Sequence, residues 1–443
     1  MEATPVRVEY MPALKGTLPA LGHSLSIGKD PLAFMSRAGE TADCVPIKVG
    51  LQRVYLISAP QLVREVLIHK AKYFKKGSMF EKLRDLLGDG LVTVNEPLHK
   101  PRRRYLQPTF SATQINAHSR SMAAVANARA AEWPADGYID VNSEMFSIAL
   151  KVACDTLLEG RSPGLNDIMS MHLPTFLRGV IKKSVLPEFY FRIPTPGNRE
   201  MRASVETLRK SLLAAFEDME PQIAHQGGFL AALMGPVFSS DEAIDEFITF
   251  MVASVETTAA AMSWALFHIA TDPQLQARTI DEIESILEHG ETMVTPQHIS
   301  NLPYTRGVIL EALRLYAMPF LMRTALNAVR IGNYLFPAGA EVWFSPYAIH
   351  RNSSHYDEAA KFRPERWESD PIDAKRDGLL LSFGAGSRQC IGEGYTMLEM
   401  FTVLVAVLRK WRLSLPAGHP PVKQTVRGTV HPSKLHVKVQ ARW

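Results

Sequence analysis

The chain has 443 residues, of which 46% are hydrophobic and 21% are charged, so it can bury a large core. Its net charge of +4 is too small to favour nucleic-acid binding. Cys44, Cys154 and Cys390 form an odd and sparse set that does not make a disulfide framework, which favours a reducing, cytoplasmic location.

The sequence predicts one domain over residues 1–443, because no low-complexity linker, charge block or internal repeat divides it. The first ten residues contain charged side chains and lack the apolar core of a signal peptide. The longest apolar stretch, Phe247–Ile269, is interrupted by Glu256 and His268, which favours a buried helix over a membrane span. We therefore expect no membrane anchor.

The predicted elements begin with a strand-rich part at about residues 40–60. Val45–Val49 and Arg53–Ile57 have the composition of two strands, and Pro60 suits the first turn of a helix. A helical body is predicted over about residues 60–320.

Within that body, Ser239 and Glu242 form a capping-box pattern that predicts a long helix over Asp241–Thr271. A second strand-rich part is predicted at about 324–345, with strands over Thr324–Ile331 and Glu341–Ser345. One last helix, apolar on most faces, is predicted over about 393–411. The fold class is therefore mainly α with a small β-rich part (α+β).

A glycine-rich loop, Phe-Gly-Ala-Gly-Ser-Arg-Gln-Cys-Ile-Gly, occupies residues 383–392. The two glycines that flank Ala385 allow a tight turn with exposed amides, and Cys390 lies just before a predicted helix. Amides and a helix N-terminus stabilise a thiolate, which suits the ligation of iron. For a lone cysteine, a buried structural role would be the ordinary interpretation, so the surrounding pattern decides the matter.

That pattern resembles the signature of the cytochrome P-450 family, Phe-Gly-x-Gly-x-Arg-x-Cys-x-Gly, at every fixed position. The resemblance implies the P-450 fold, a helical body that encloses haem b (iron protoporphyrin IX). It further implies that Cys390 is the iron ligand, that Phe383 covers one side of its sulfur, and that Arg388 contacts a haem propionate.

Further family landmarks follow in the expected order. Glu311 and Arg314 share a helix face, and by themselves they would read as a surface ion pair. The resemblance implies that Arg366, within Pro-Glu-Arg, joins them in a buried structural network behind the haem.

Three other basic residues match positions that contact haem propionates in the family. His99 and Arg103 lie four apart on one helix, and Arg323 begins the later sheet. Propionates are carboxylates, which require charge-assisted hydrogen bonds from such groups. For Arg323 alone, a solvated strand residue is the alternative interpretation.

The long helix carries the sequence Ala-Ser-Val-Glu-Thr-Thr at residues 253–258. A carboxylate amid apolar residues is costly to bury, which points to a functional role. The resemblance implies that Thr257 holds oxygen and water by hydrogen bonds and that Glu256 relays protons. Ser254 stands where the family usually has glycine.

We therefore expect a monooxygenase that activates O2 and hydroxylates or epoxidises a lipophilic small molecule, with electrons from a separate ferredoxin and reductase. A peroxygenase or isomerase would keep the fold but change the reaction. A non-catalytic haem-binding sensor would need no proton relay. The pair of Glu256 and Thr257 argues against both alternatives.

A ferredoxin-type donor is expected to dock near outward charges of the early basic helix, namely Lys100, Arg102 and Arg104. The resemblance also implies an apolar pocket, which favours a terpenoid first and a polyketide or macrolide second. The expected lining is Val92, Phe176, Met251, Val252, Val255, Met318, Phe320 and Leu321, with Val430 as a further candidate.

Overall fold

The computed structural model describes residues 5–159, 163–223, 228–288, 293–368 and 378–442. Helices predominate in them and strands are short, which confirms the predicted fold class. In chain order the helices are α1 (Ser24–Lys29), α2 (Pro31–Thr41), α3 (Pro60–Arg64), α4 (Ser78–Leu87), α5 (His99–Leu106), α6 (Ala112–Ala117), α7 (Ser119–Ala131), α8 (Val141–Leu157), α9 (Pro163–Val185), α10 (Glu188–Arg192), α11 (Pro196–Ile223), α12 (Phe229–Leu233), α13 (Ser240–Thr271), α14 (Pro273–Ile286), α15 (Pro296–Ser300), α16 (Pro303–Leu315), α17 (Pro346–His350) and α18 (Glu393–Lys410).

The strands form four small sheets in the described part of the chain. The largest has the order β2-β3-β9-β6-β4, and the others are β1-β8-β7, β10-β13-β5 and the hairpin β11-β12. The bounds are β1 (Val6–Arg7), β2 (Cys44–Val49), β3 (Gln52–Ile57), β4 (Phe74–Lys76), β5 (Asp136–Asp140), β6 (Leu321–Ala325), β7 (Val329–Ile331), β8 (Tyr334–Phe336), β9 (Glu341–Phe344), β10 (Trp411–Ser414), β11 (Gln424–Arg427), β12 (Thr429–Pro432) and β13 (His436–Ala441).

The two predicted strand-rich parts contain strands, but their details differ. The single strand predicted over Thr324–Ile331 is divided, because the chain bends at residues 326–328 and passes from the five-stranded sheet to another. A third strand-rich part, from Trp411 to Ala441, was not predicted. Strands β10 and β13 do alternate buried and more exposed residues, but β10 has only four residues and follows α18 directly, so its alternation is too short to separate it from the helix.

Helix α13 crosses the centre of the molecule. Its predicted capping box is present: the Ser239 amide donates to Glu242 Oε2 at 2.9 Å, and the Glu242 amide donates to Ser239 Oγ at 3.3 Å. By length and composition it is the one described helix that could span a membrane, but 67% of its most apolar window is buried in the protein. Its burial is that of a core helix.

Helix α18 is buried along most of its length and packs against α7, α13 and α16. It begins three residues after Cys390. The cysteine loop is therefore attached directly to the most deeply buried helix near the C-terminus, next to α13. This arrangement brings the two main candidate segments into the same part of the core.

Candidate active site

The cysteine loop is closed by its own backbone. The Cys390 amide donates to Phe383 O at 2.8 Å, and residues 386–388 form one turn of 3-10 helix. Gly384 and Gly386 adopt φ values of +68° and +70°. A Cβ on Gly386 would lie 2.0 Å from Leu67 O, so this position requires glycine.

Cys390 differs from the two other cysteines in its surroundings. Its side chain is exposed, whereas Cys44 and Cys154 are fully buried. Burial raises the pKa of the Cys44 thiol and of the Cys154 thiol to about 12 in each case, so both stay protonated near neutral pH. Of the three, Cys390 is the thiol suited to act as a ligand.

A buried histidine fixes the start of the loop. His350 Nε2 accepts a hydrogen bond from the Leu381 amide at 2.8 Å, and His350 Nδ1 lies 3.0 Å from Arg314 O. Burial lowers the pKa of His350 to about 3, so the ring is neutral and can accept at one nitrogen while it donates at the other. Ser382 Oγ also donates to Leu313 O at 2.9 Å, which ties the loop to α16.

Five basic side chains from four elements gather beside this loop. His99 and Arg103 lie on α5, Lys76 ends β4, Arg323 is its cross-strand partner on β6, and Arg388 belongs to the loop. Arg103 Nη1 donates to Gln389 O at 2.5 Å, next to Cys390, and Arg388 Nη1 donates to Val94 O at 2.6 Å. Four of the five were predicted, whereas Lys76 was not.

Burial, and after it the repulsion between neighbouring positive charges, lowers the pKa values of three of these groups. Burial, then the charges of Arg388 and its neighbours, lowers the pKa of His99 to about 3. Burial and the Arg388 charge lower the pKa of Arg323 to about 10, and burial together with three arginines holds the pKa of Lys76 well below its ordinary value. Like charges brought together out of water are costly unless an anion compensates them.

This cluster fits a dianionic cofactor such as haem b, which carries two propionates. His99 Nδ1 is buried, lies 3.4 Å from Glu96 Oε1 and makes no hydrogen bond. Carboxylates placed among these groups would supply the missing acceptors and relieve the repulsion. Lys76, His99, Arg103, Arg323 and Arg388 are thus the residues that could hold the propionates.

The three predicted network residues lie in contact with each other. Glu311 and Arg314 are fully buried and pair through two contacts of 2.6 and 2.8 Å. Arg366 Nε donates to Glu311 Oε1 at 2.9 Å, and Trp367 Nε1 donates to Glu311 Oε2 at 2.9 Å. Arg314 also donates to backbone carbonyls between α17 and residue 361, so the network fixes the segment that leads to the cysteine loop.

One face of α13 is exposed, whereas the residues beside it on the same helix are buried. Ala253 and Thr257, one helical turn apart, are exposed, while Val255 and Thr258 are fully buried. Thr257 Oγ1 donates to Ala253 O at 2.6 Å, which leaves its oxygen as an acceptor toward the open space. This is the face that carries the predicted oxygen-site threonine.

Glu256 has a partner that the sequence did not reveal. Its Oε1 lies 2.7 Å from Nε2 of His431, on strand β12, 175 residues further along the chain. No local pattern marks His431, because the contact depends on where the C-terminal hairpin packs. Lys76 was missed for the same reason, since it ends a three-residue strand without a motif.

The predicted pocket residues divide into two groups. Phe176, Met251 and Val255 are fully buried in the main hydrophobic core. Val430 is also fully buried. Side chains that remain partly exposed are Val92, Val252, Met318, Phe320 and Leu321. These five side chains have exposed surface that an apolar pocket could use.

Arg102 does not face outward, which corrects its predicted role in docking. It is 5% exposed, and it pairs with Glu242 and lies 3.7 Å from Glu246 Oε1. It lies three residues after His99 and four before Leu106, and all three occupy the buried face of α5. Lys100 and Arg104, also one turn apart, are exposed on another face.

Glu246 holds the loop that carries Val92. Its Oε2 accepts from the Leu91 amide at 2.8 Å, and the neighbouring Asp245 accepts from the Asp89 amide at 2.7 Å. Glu246 is fully buried and its Oε1 makes no hydrogen bond. Burial therefore raises the pKa of Glu246 from 4.5 to about 7, against the opposing effect of the Leu91 hydrogen bond.

A raised pKa makes the folded state bind a proton more tightly than the unfolded state. The stabilisation of the folded state by this proton is fully present below pH 4.5 and is lost as the pH rises toward 7. Glutamine does not titrate, so Glu246→Gln should not lose this stabilisation. We expect its free energy of unfolding, relative to that of wild type, to increase between pH 5 and pH 8 by on the order of 3 kcal/mol. Urea unfolding at both pH values measures this, with the exposed Asp241→Asn as control. A pH-independent difference would contradict the prediction.

A surface cleft of about 430 Å³ lies apart from these residues, between α4 and α11. Its lining is largely charged and contains none of the predicted site residues. The charged members are Asp85, Arg202, Glu206, Arg209 and Lys210. Its polarity does not suit a lipophilic ligand, so the site remains with the cysteine loop and α13.

Known proteins resemble the chain over almost its whole length. Pentalenene oxygenase of Streptomyces avermitilis is 30% identical over 441 residues, which cover 96% of this chain and 96% of that protein. Cyclooctat-9-en-7-ol 5-monooxygenase of Streptomyces melanosporofaciens is 31% identical over 411 residues, with 90% and 88% covered. The crystal structure of the cytochrome P450DA heme domain superposes with a TM-score of 0.85 at 21% identity over 97% of both chains, which shows the shared fold. The family profile described as cytochrome P-450 matches residues 12–439, and the chain belongs to this family.

Proposed function

We propose that this protein is a cytoplasmic monooxygenase that inserts one oxygen atom from O2 into a terpenoid or a similar lipophilic secondary metabolite. The family binds haem b through a cysteine thiolate, and named monooxygenases are among the relatives. The single observation that carries the proposal is the exposed Cys390 beside five basic side chains, with the open face of α13 in the same core.

When bound, the haem supplies the oxygen chemistry, and the thiolate favours cleavage of the O–O bond. The residues of the chain have separate tasks. Cys390 would hold the iron, with Phe383 beside its sulfur. The five basic groups would orient the propionates. The apolar side of the pocket would be formed by Val92, Val252, Met318, Phe320 and Leu321. Phe320 stacks on Trp343 with 4.9 Å between the ring centroids.

Thr257 would place a proton where oxygen is bound, and Glu256 would supply it from the solvent side. We expect Thr257→Ala to bind substrate and consume reduced cofactor but to release more peroxide. The loss of a positioned proton donor should lower product formation by about 10²-fold. The product-to-cofactor ratio measures this effect.

Ser254 requires a second variant, because its hydroxyl, which donates to Met251 O at 3.3 Å, could partly replace that of Thr257. The double variant Ser254→Gly with Thr257→Ala should therefore be at least as uncoupled as the single variant. Thr271→Ala, at the exposed end of the same helix, is the control. Wild-type coupling in the double variant would refute a proton-delivery role for this stretch.

The exposed pair Lys100 and Arg104 would face an acidic ferredoxin. We expect Lys100→Glu with Arg104→Glu to slow reduction by about tenfold or more at low salt, and less at high salt, because steering by exposed charges is screened. Stopped-flow reduction at two salt concentrations measures this. Lys15→Glu with Lys29→Glu makes the same charge change on exposed residues of the N-terminal segment. Equal rates in both double variants would exclude a local docking site.

The substrate class is tested by titration of the haem spin state. Pentalenene and cyclooctat-9-en-7-ol, taken from the names of the two relatives, serve as terpenoid probes, and a macrolide serves as the competing class. The proposal expects a shift with at least one terpenoid and an oxygenated product from it. A shift and a product with the macrolide alone would reverse the substrate assignment.

A further inference from the structure

We infer that His431 is a positioning residue for Glu256, and that strand β12 thereby sets the direction from which the proton relay is supplied. The inference deepens the proposed function and rests on it. It starts from the 2.7 Å contact between His431 Nε2 and Glu256 Oε1.

Strand β12 carries two polar side chains at the contact with Glu256. Thr429 and His431 are two residues apart on a strand, so their side chains leave the same face. Thr429 Oγ1 lies 2.9 Å from His431 Nε2. One imidazole nitrogen, Nε2, therefore lies close to both the Thr429 hydroxyl and the Glu256 carboxylate.

The strand itself is fixed on α13. Trp264 Nε1 donates to Val430 O at 2.8 Å, and Trp264 lies on α13, eight residues after Glu256. At the other strand of the hairpin, Tyr347 Oη donates to Gln424 Oε1 at 2.8 Å. The backbone next to His431 is thus bonded to α13, and the opposite strand of the hairpin is held through Gln424.

A partner in a fixed position can hold Glu256 in place. Without one, a glutamate side chain is costly to immobilise, because it has several rotatable bonds. Glu256 is 17% exposed and His431 14% exposed, so both side chains are largely shielded but reach solvent. The 2.7 Å contact between His431 Nε2 and Glu256 Oε1 restricts the glutamate side chain when Nε2 carries its proton. It holds one carboxylate oxygen toward β12, which leaves the other for water and for the neighbouring Thr257.

The first experiment compares His431→Leu, which has no donor, with His431→Gln, whose amide can still donate to Glu256. Coupling is measured as product per reduced cofactor with pentalenene, or with cyclooctat-9-en-7-ol if it gives more product. His431→Leu should lower coupling by about threefold or more, and His431→Gln should recover most of the loss. The spectral dissociation constant of the probe should stay constant in both. His436→Gln, at the exposed first residue of β13, is the control.

The second experiment does not depend on turnover. Unfolding midpoints are measured for Glu256→Gln, His431→Leu and the double variant. If the two side chains pair, the double variant should unfold close to the less stable single variant, because the shared contact is lost only once. Additive shifts would show that the pair does not exist in solution.

Wild-type coupling in His431→Leu would overturn the inference, as would a His431→Gln variant as uncoupled as His431→Leu. Failure of the proposed function looks different: the wild-type protein would make no oxygenated product from any terpenoid, while the unfolding cycle would still decide whether His431 holds Glu256.

Discussion

The Cys390→Ser variant is expected to lose the long-wavelength absorption band of the reduced carbon monoxide complex that thiolate ligation produces. A serine hydroxyl has too high a pKa to bind as an anion as a thiolate does, so the electronic effect on the iron disappears. Oxygenation should fall to background for the same reason. The basic cluster is unchanged in this variant, so haem should still be retained in part.

The other two cysteines provide the controls. Cys44→Ala and Cys154→Ala remove thiols that are buried and protonated, and both variants should keep the band. Each substitution should lower the stability of the protein only through lost packing, because it removes one buried thiol group. If Cys390→Ser kept the band and one of these variants lost it, the ligand assignment would be wrong.

Glu311→Gln is expected to destabilise the protein by about 3–5 kcal/mol, because it leaves two arginines facing a neutral side chain in a buried site. The carboxylate accepts from Arg314, Arg366 and Trp367 and from the Arg363 amide at 2.9 Å. An amide at this position must turn a donor toward at least one of these donors. Denaturant unfolding and haem content measure the effect.

Glu365→Gln is the matched control for that variant. Glu365 lies next to Arg366 in the Pro-Glu-Arg segment, but it is 43% exposed and pairs with Arg278 at 3.1 Å on the surface. Its loss should cost no more than about 1 kcal/mol. Equal destabilisation by both substitutions would contradict the view that burial makes the Glu311 network costly to break.

The sequence predicted features whose signal is local. The cysteine loop is one continuous stretch, and its glycines are required by positive φ values and by the approach of Leu67. The capping box that starts α13 was visible from Ser239 and Glu242, because both partners lie within one turn. Such patterns need no knowledge of the rest of the fold.

Features that depend on long-range packing were missed or wrong. Lys76 enters the basic cluster only because β4 pairs with β6, and His431 meets Glu256 only because a C-terminal hairpin lies along α13. Arg102 was predicted on an outer face of α5, although its spacing of three residues from His99 puts it on the buried face.

The most direct test of the central claim is turnover of a terpenoid probe under ¹⁸O2 with a ferredoxin and its reductase, followed by mass spectrometry of the product. The account predicts that each product molecule gains one ¹⁸O atom from O2 and none from water, and that reduced cofactor is required. A product that forms only with added peroxide, carries oxygen from labelled water, or contains no new oxygen would contradict it.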